Sequence, residues 1–297
     1  MQTVVENMMT HYSCQSLTDY VNALKEIIQK IALLALWRAK FFEKAAFYGG
    51  TALRILYGLN RYSEDMDFSL LKPDPHFNLD KYNEAIRTEL ESFGFSATIH
   101  MKEKRAESNI KTTLIKLGAK EQLITVSIPK EFLSVIHKDQ KISIKMEVDT
   151  NPPLNFETEQ KVVLNPIPFY VNTYQKSSLF ATKIHAILCR NWGSRTKGRD
   201  WYDFVWYISH NVAVDLIHLK TRLVQSGDWT NEKDLDCLVS QELLYNKLQS
   251  LDIEAAKKDV LPFIMDKTSI EIWSNHFFET IISHLRAIPS HTVPPIN

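Results

Sequence analysis

At 297 residues, with 44% hydrophobic and 24% charged side chains, the chain has an ordinary globular composition, long enough for two domains or one large one. Lys plus Arg and Asp plus Glu balance at 35 each, which excludes an overall basic field for nucleic acid, so any such contact must use a local patch. The three cysteines, Cys14, Cys189 and Cys237, are odd in number and lack metal-ligand spacing, which favours a reducing, cytoplasmic setting without structural disulfides. No apolar run approaches the ~20 residues of a membrane span. The opening residues show neither a basic nor an apolar signal region, so neither a membrane partner nor a secretory leader is expected.

Ser16 to Glu43 reads as one helix. Leu17, Tyr20, Val21, Leu24, Ile27, Ile28, Ile31 and Leu34 recur at helical spacing, Ser16 or Thr18 is the N-cap, and the expected part is core packing. Phe47 and Tyr48 make a brief strand or turn entry into Gly49-Gly50, a pair drawn from only eight glycines. Followed by Thr51-Ala52-Leu53-Arg54, the pair predicts a tight turn feeding a short helix that Gly58 and Asn60 stop. Glycine lets a ligand approach the backbone, and a helix N-terminus offers amides to an anion. Thr51 is placed to cap that helix or to hydrogen-bond a phosphate.

From Asp65 the residues alternate polar and apolar, the period of a strand, so Asp65 and Asp67 share one face and Met66 and Phe68 the other. Two carboxylates so placed repel each other unless a cation lies between them. Hard oxygen ligands of this kind suit Mg²⁺, which is completed by substrate phosphates.

After Pro73 and Pro75 a helix is predicted from Leu79 to Phe93, ended by Gly94. Strand-like runs follow at Phe95–Met101, Ile110–Leu117 and Leu123–Ile128, with Lys102, Lys104 and Arg105 as a basic turn between the first two. Ile142 to Asp149 is the clearest strand: Ile142, Ile144, Met146 and Val148 on one face, Ser143, Lys145, Glu147 and Asp149 on the other. Residues 151–169 carry Pro152, Pro153, Pro166 and Pro168 and read as an extended connection and domain boundary.

From Tyr174 the pattern is helical. Lys176 to Asn191 places Lys183 beside Leu179 and Ile187 on the apolar stripe, where a lysine either snorkels or reaches a buried anion, while His185 points away from it. A polar, basic stretch at 192–198 precedes a helix opening at Arg199, in which Asp200 and Asp203 share a face. Asp200 favours the helix dipole, and Asp203 is expected to pair with Arg199 or Arg195. Further helices are predicted around 214–226, 231–249, 252–266 and 269–287, with Trp229, Trp273, Phe277 and Phe278 in the core and a frayed proline-bearing end.

Gly49-Gly50-Thr51, then Arg61-x-Ser63-Glu64-Asp65-x-Asp67-Phe68, resembles the signature of the nucleotidyltransferase AbiEii/AbiGii toxin family, within the polymerase-beta-type nucleotidyltransferases. Lys183-x-His185 and Lys197-Gly198-Arg199-Asp200-x-x-Asp203 are similar to that family's second pair of motifs. The resemblance implies an α/β (α+β) nucleotidyltransferase domain with a mixed sheet flanked by helices, over 1–165, and a C-terminal helical domain, 166–297, contributing Lys183 and Asp200 to the cleft. It implies Gly49, Gly50, Thr51, Ser63 and Lys183 on the nucleotide. Asp65 and Asp67 would be catalytic metal ligands, with a third carboxylate, Glu147 or Asp149, on a neighbouring strand. Asp200 would be a general base or hold Lys183. The cofactor would be Mg²⁺, with Mn²⁺ as the alternative, and an NTP the substrate. The acceptor would be a tRNA 3′ end or a protein hydroxyl, and a separate antitoxin would oppose a toxin of a bacterial toxin–antitoxin or phage-defence pair. The same residues would also serve a phosphotransferase acting on the γ-phosphate, or a binding protein without catalysis.

Overall fold

The computed structural model describes residues 3–102, 108–137, 139–190, 197–230 and 232–288. Lys104, Arg105, the stretch Trp192 to Thr196 and the proline-bearing C-terminal end, all singled out in the sequence, lie outside them. The chain divides into two compact units: 1–152 with 158–173, and 153–157 with 174–297.

The first unit begins with α1 (Val4–Met9) and α2 (Leu17–Arg38). Ser16 caps α2 in a reciprocal box with Asp19: the Asp19 amide donates to the Ser16 hydroxyl, and the Ser16 amide to the Asp19 carboxylate. The helix stops short of the predicted Glu43. Lys40 adopts a left-handed φ of 58°, which turns the chain into a 3-10 turn at Phe41–Glu43 and then into β1 (Ala45–Tyr48).

Next come α3 (Gly49–Tyr57), β2 (Met66–Leu70), α4 (Asp80–Ser92), β3 (Ala97–Met101), β4 (Ile110–Gly118), α5 (Ala119–Thr125), α6 (Lys130–Ser134), β5 (Lys141–Asp149), β6 (Thr158–Val163) and β7 (Phe169–Tyr174). Leu123–Ile128, expected as a strand, starts inside α5. Ala119, Gln122, Leu123 and Val126 are buried at helical spacing, so a period of 3.6 governs where a short apolar run suggested 2. Residues 151–169 likewise contain β6 rather than only an extended connection.

The seven strands form one mixed sheet in the order β3-β4-β5-β2-β1-β7-β6. β2 runs parallel to β5 and antiparallel to β1, and β4 is antiparallel to β3 and β5. This is the α/β fold with a mixed sheet expected from the motifs. Met66, Phe68, Ile144, Met146 and Val148 are buried in one cluster with α2, with Phe68 edge-on to Phe41 at 5.0 Å. Alternation then turns Asp67, Lys145, Glu147 and Thr112 to the opposite face.

The second unit is helical: α7 (Lys176–Cys189), α8 (Gly198–Ser209), α9 (Leu216–Gln225), α10 (Cys237–Leu248), α11 (Ile253–Val260) and α12 (Asn275–Ser283). Phe278 and Trp273 are buried as predicted, whereas Phe277 and Trp229 are only half-buried. Among the described residues no helix is long and apolar enough to cross a membrane.

Candidate active site

β1 delivers the chain in extended form to Tyr48, and Gly49 then turns it at φ +82° into α3. Glycine is required there twice over. The backbone angle is left-handed, and a Cβ would lie 2.5 Å from Oδ2 of Asp67. The Asp67 carboxylate therefore rests on the first turn of α3, at the positive end of the helix dipole. At Gly50 a Cβ would meet Nη2 of Arg61 at 2.8 Å and Oγ of Ser63 at 3.1 Å, so this glycine makes room for a buried guanidinium and a hydroxyl.

Thr51 is not the cap, a position Tyr48 holds without a side-chain hydrogen bond. Buried Thr51 instead donates its hydroxyl to the carbonyl of Asp65, tying α3 to the start of β2.

The strand register sets the acidic face. Asp67 pairs with Tyr48 on β1 and with Glu147 on β5, and Ser69 pairs with Asp149. Glu147 is thus the direct neighbour of Asp67. Asp149 sits one step further along and accepts the Asn151 amide at 3.0 Å, a bond that shapes the exit from β5.

Asp65 precedes β2 and is about half exposed. Nζ of Lys145 lies 3.3 Å from Oδ2 of Asp65 and 3.1 Å from Oε2 of Glu147, and the Thr112 hydroxyl donates to Glu147 at 3.3 Å. Burial alone would lower the Lys145 ammonium's pKa, but the carboxylates of Asp65 and Glu147 raise it above the ordinary value. The carboxylates of Asp65 and Glu147 therefore already converge on a cation, that of Lys145. Carboxylate oxygens are the kind of ligand Mg²⁺ takes together with phosphate oxygens, but those of Asp65, Asp67 and Glu147 do not all lie within 4.8 Å of one another, and Lys145 stands between two of them.

The loop between α3 and β2 is fixed from beneath. The buried Gln29 amide donates to the carbonyls of Ser63 and Glu64, each at 3.0 Å, and Lys25 pairs with Glu64 at 2.9 Å. Arg54 donates to the carbonyl of Leu59 at 2.8 Å and to Glu26, also at 2.8 Å. Glu26 in turn accepts the Tyr12 hydroxyl and pairs with Lys30 at 3.0 Å. Burial pushes the Glu26 carboxyl up, yet Lys30 and Arg54 outweigh it and hold the pKa below the ordinary value.

None of Glu26, Gln29, Arg61 and Lys145 was assigned a site role from sequence. The available signal was the spacing of Asn22, Glu26 and Gln29 at i, i+4 and i+7. It marks a polar stripe on a helix otherwise apolar nearly all round, which must be buried and bonded.

In the second unit, Lys183 reaches buried anions rather than snorkelling. Its Nζ lies 2.6 Å from Oδ1 of Asp200 and 2.8 Å from Oδ2 of Asp203, which is fully buried. Asp203 thus pairs with Lys183, while Arg199 meets Asp259; Arg195, the other arginine expected to pair with Asp203, lies outside the described residues. His185 instead meets the Ser226 hydroxyl at 3.0 Å.

Gly198 opens α8 where it crosses α11, and a Cβ there would fall inside the carbonyl of Ala256. Gly198→Ala should therefore destabilise the protein by about 1–3 kcal/mol, as overpacked sites do. An unchanged urea midpoint would show that the helices can separate at no cost.

A model of the nucleotidyl transferase AbiEii toxin family, type IV toxin–antitoxin system, matches residues 31–282, and the chain belongs to that family. No protein of curated function matches it. Among solved structures, a provisionally assigned nucleotidyltransferase from H. pylori matches at 16% identity and a TM-score of 0.49, over 87% of this chain and 89% of that one. JHP933 from Helicobacter pylori matches at 15% identity and a TM-score of 0.46, over 86% and 88%.

Proposed function

We propose that this chain is a toxin that transfers a nucleotidyl group from a Mg²⁺- or Mn²⁺-bound NTP to a hydroxyl of RNA, such as a tRNA 3′ end, or of a protein. The observation that carries the reading is the pairing of Asp67 with Glu147 on one sheet face beside the Gly49-Gly50 turn, with Asp65 just before the strand and joined to Glu147 through Lys145, in a chain of this family.

In the reaction the acceptor oxygen bonds to the α-phosphorus, the bond to the bridging oxygen breaks, and pyrophosphate leaves while the hydroxyl loses its proton. When bound between Asp65, Asp67 and Glu147, Mg²⁺ supplies Lewis-acid neutralisation of phosphate charge. The first turn of α3 presents its amides to phosphate oxygens, with Gly49 and Gly50 allowing close approach. Thr51 and Gln29 hold the loop that carries Ser63 and Asp65. Glu147 is favoured over Asp149 as the third carboxylate because it adjoins Asp67 in register. On the family pattern, Lys183 takes the phosphate contact and Asp200 acts as general base or holds Lys183. The toxin is opposed by a separate antitoxin protein.

A Mg²⁺–nucleotide should raise the melting temperature by mass action, and Mg²⁺ alone should do less. Identical melting curves at millimolar ligand would count against the site. Lys183→Met alone takes the cation away from buried Asp200 and Asp203 and should cost about 3 kcal/mol, so it cannot report on binding. Lys183→Met with Asp203→Leu removes the lysine and its fully buried partner, leaving the slightly more exposed Asp200, and should fold better than the single variant. Nucleotide binding by that double variant should be weak, and wild-type binding would remove Lys183 from the nucleotide contact.

A further inference from the structure

The end of α7 and the turn after α9 bring three unlike donors together. His185 and Cys189 are i and i+4 on α7, hence on one face. Asp228 follows Gly227, whose φ of +81° wraps the chain back over the end of α9, where the Asp228 amide donates to the carbonyl of Leu223 at 2.9 Å. An imidazole nitrogen, a sulfur and a carboxylate oxygen then lie within 4.8 Å of one another.

We propose that His185, Cys189 and Asp228 form a binding site for a thiophilic divalent cation, Zn²⁺ above all, distinct in chemistry from the oxygen-only face of Asp65, Asp67 and Glu147. Zinc takes nitrogen, sulfur and oxygen ligands at about 2.0–2.3 Å in a tetrahedron, which sets donors about 3.3–3.8 Å apart. The donors lie within 4.8 Å of one another, so side-chain rotation has at most about 1–1.5 Å to close. A thiolate with an imidazole disfavours Mg²⁺ and Ca²⁺. Cys189 and Asp228 also line a cavity of about 340 Å³ together with Trp229 and Lys247.

The protonation states act in opposite directions: the imidazole is ready to coordinate, whereas the thiol must first give up its proton. Burial, then Arg222 and Arg190, brings His185 down to about 4, so its imidazole is neutral and able to coordinate. Burial, then Asp228, pushes the Cys189 thiol up to about 12, so it keeps its proton until a cation displaces that proton to solvent. Ser226 now bridges the cluster: its hydroxyl meets His185 at 3.0 Å and donates to Asp228 at 2.6 Å. It must turn aside when the cation enters.

Zn²⁺ titration of the full chain against a chromophoric chelator should show one equivalent bound. Cys189→Ala and Asp228→Asn should each weaken it by at least about tenfold, while Ser226→Ala binds as tightly or more so. Co²⁺ in the wild-type protein should give a thiolate charge-transfer band in the near ultraviolet, a readout that needs no variant to fold, and Zn²⁺ should protect Cys189 from alkylation. No stoichiometric uptake, a cobalt complex without the thiolate band, or uptake unchanged in Cys189→Ala would overturn the proposal.

Discussion

Asp67→Asn is expected to cut nucleotidyl transfer by at least about 100-fold, because a metal ligand carries several kcal/mol of transition-state stabilisation. The protein should nevertheless stay folded. Neutralising Asp67 removes its favourable position at the α3 N-terminus but also relieves its repulsion with Glu147. These opposing effects are each below about 1 kcal/mol, so the urea midpoint should barely move. Asp65→Asn should lose activity similarly. It also gives up a half-exposed pair with Lys145, a contribution of about 0–1 kcal/mol. From sequence alone, Asp65 and Asp67 only repel each other, and either neutralisation should be neutral or slightly stabilising. Lys145 changes that sign for Asp65. Activity retained per folded molecule in Asp67→Asn would place the carboxylate outside the chemistry.

Glu26→Ala should produce a large loss of stability, about 3 kcal/mol, because removing one partner of a buried ion pair leaves the others uncompensated. It strands Arg54 and Lys30 and removes the acceptor of the Tyr12 hydroxyl. Since Arg54 also holds Leu59, the loop carrying Ser63 and Asp65 should loosen, and activity should fall with it.

The pH dependence has a definite sign. The folded Glu26 carboxyl sits below its ordinary 4.5, so its contribution is full above that value and is lost as pH falls through the folded pKa. The wild type should therefore lose stability below about pH 4.5 more steeply than Glu26→Ala. Parallel acid limbs, or a midpoint shift near zero, would show that Glu26 does not organise this network.

The local pattern of the site was readable before its surroundings were. Gly49-Gly50 and Asp67 sit where glycine freedom and strand alternation put them, because both are properties of a few adjacent residues, whereas Asp65 falls just before the strand. The strand of Glu147 was equally clear from its period of 2. The preference proposed for Glu147 over Asp149 rests on the register with β2, a long-range pairing that a single strand cannot encode.

Lys145 and Gln29 were passed over for a related reason. They acquire their meaning from partners far away in the chain, Lys145 from Asp65 and Gln29 from Ser63 and Glu64. Cys189 looked isolated because only cysteine spacing was weighed, whereas its neighbours in space are a histidine one helical turn earlier and an aspartate on another element. Leu123 misled as strand because a short apolar run fits both periods until its packing partners are known.

The central claim is transfer of the nucleotidyl group, and the position of the label decides it. The purified chain should be incubated with Mg²⁺, total bacterial RNA and protein, and each NTP labelled either at the α- or at the γ-phosphate. The account predicts that α label becomes covalently attached to an acceptor, that γ label leaves as pyrophosphate, and that Asp67→Asn abolishes both. Acceptor carrying γ label would establish phosphoryl transfer at this site instead, and no label from any NTP would contradict catalysis altogether.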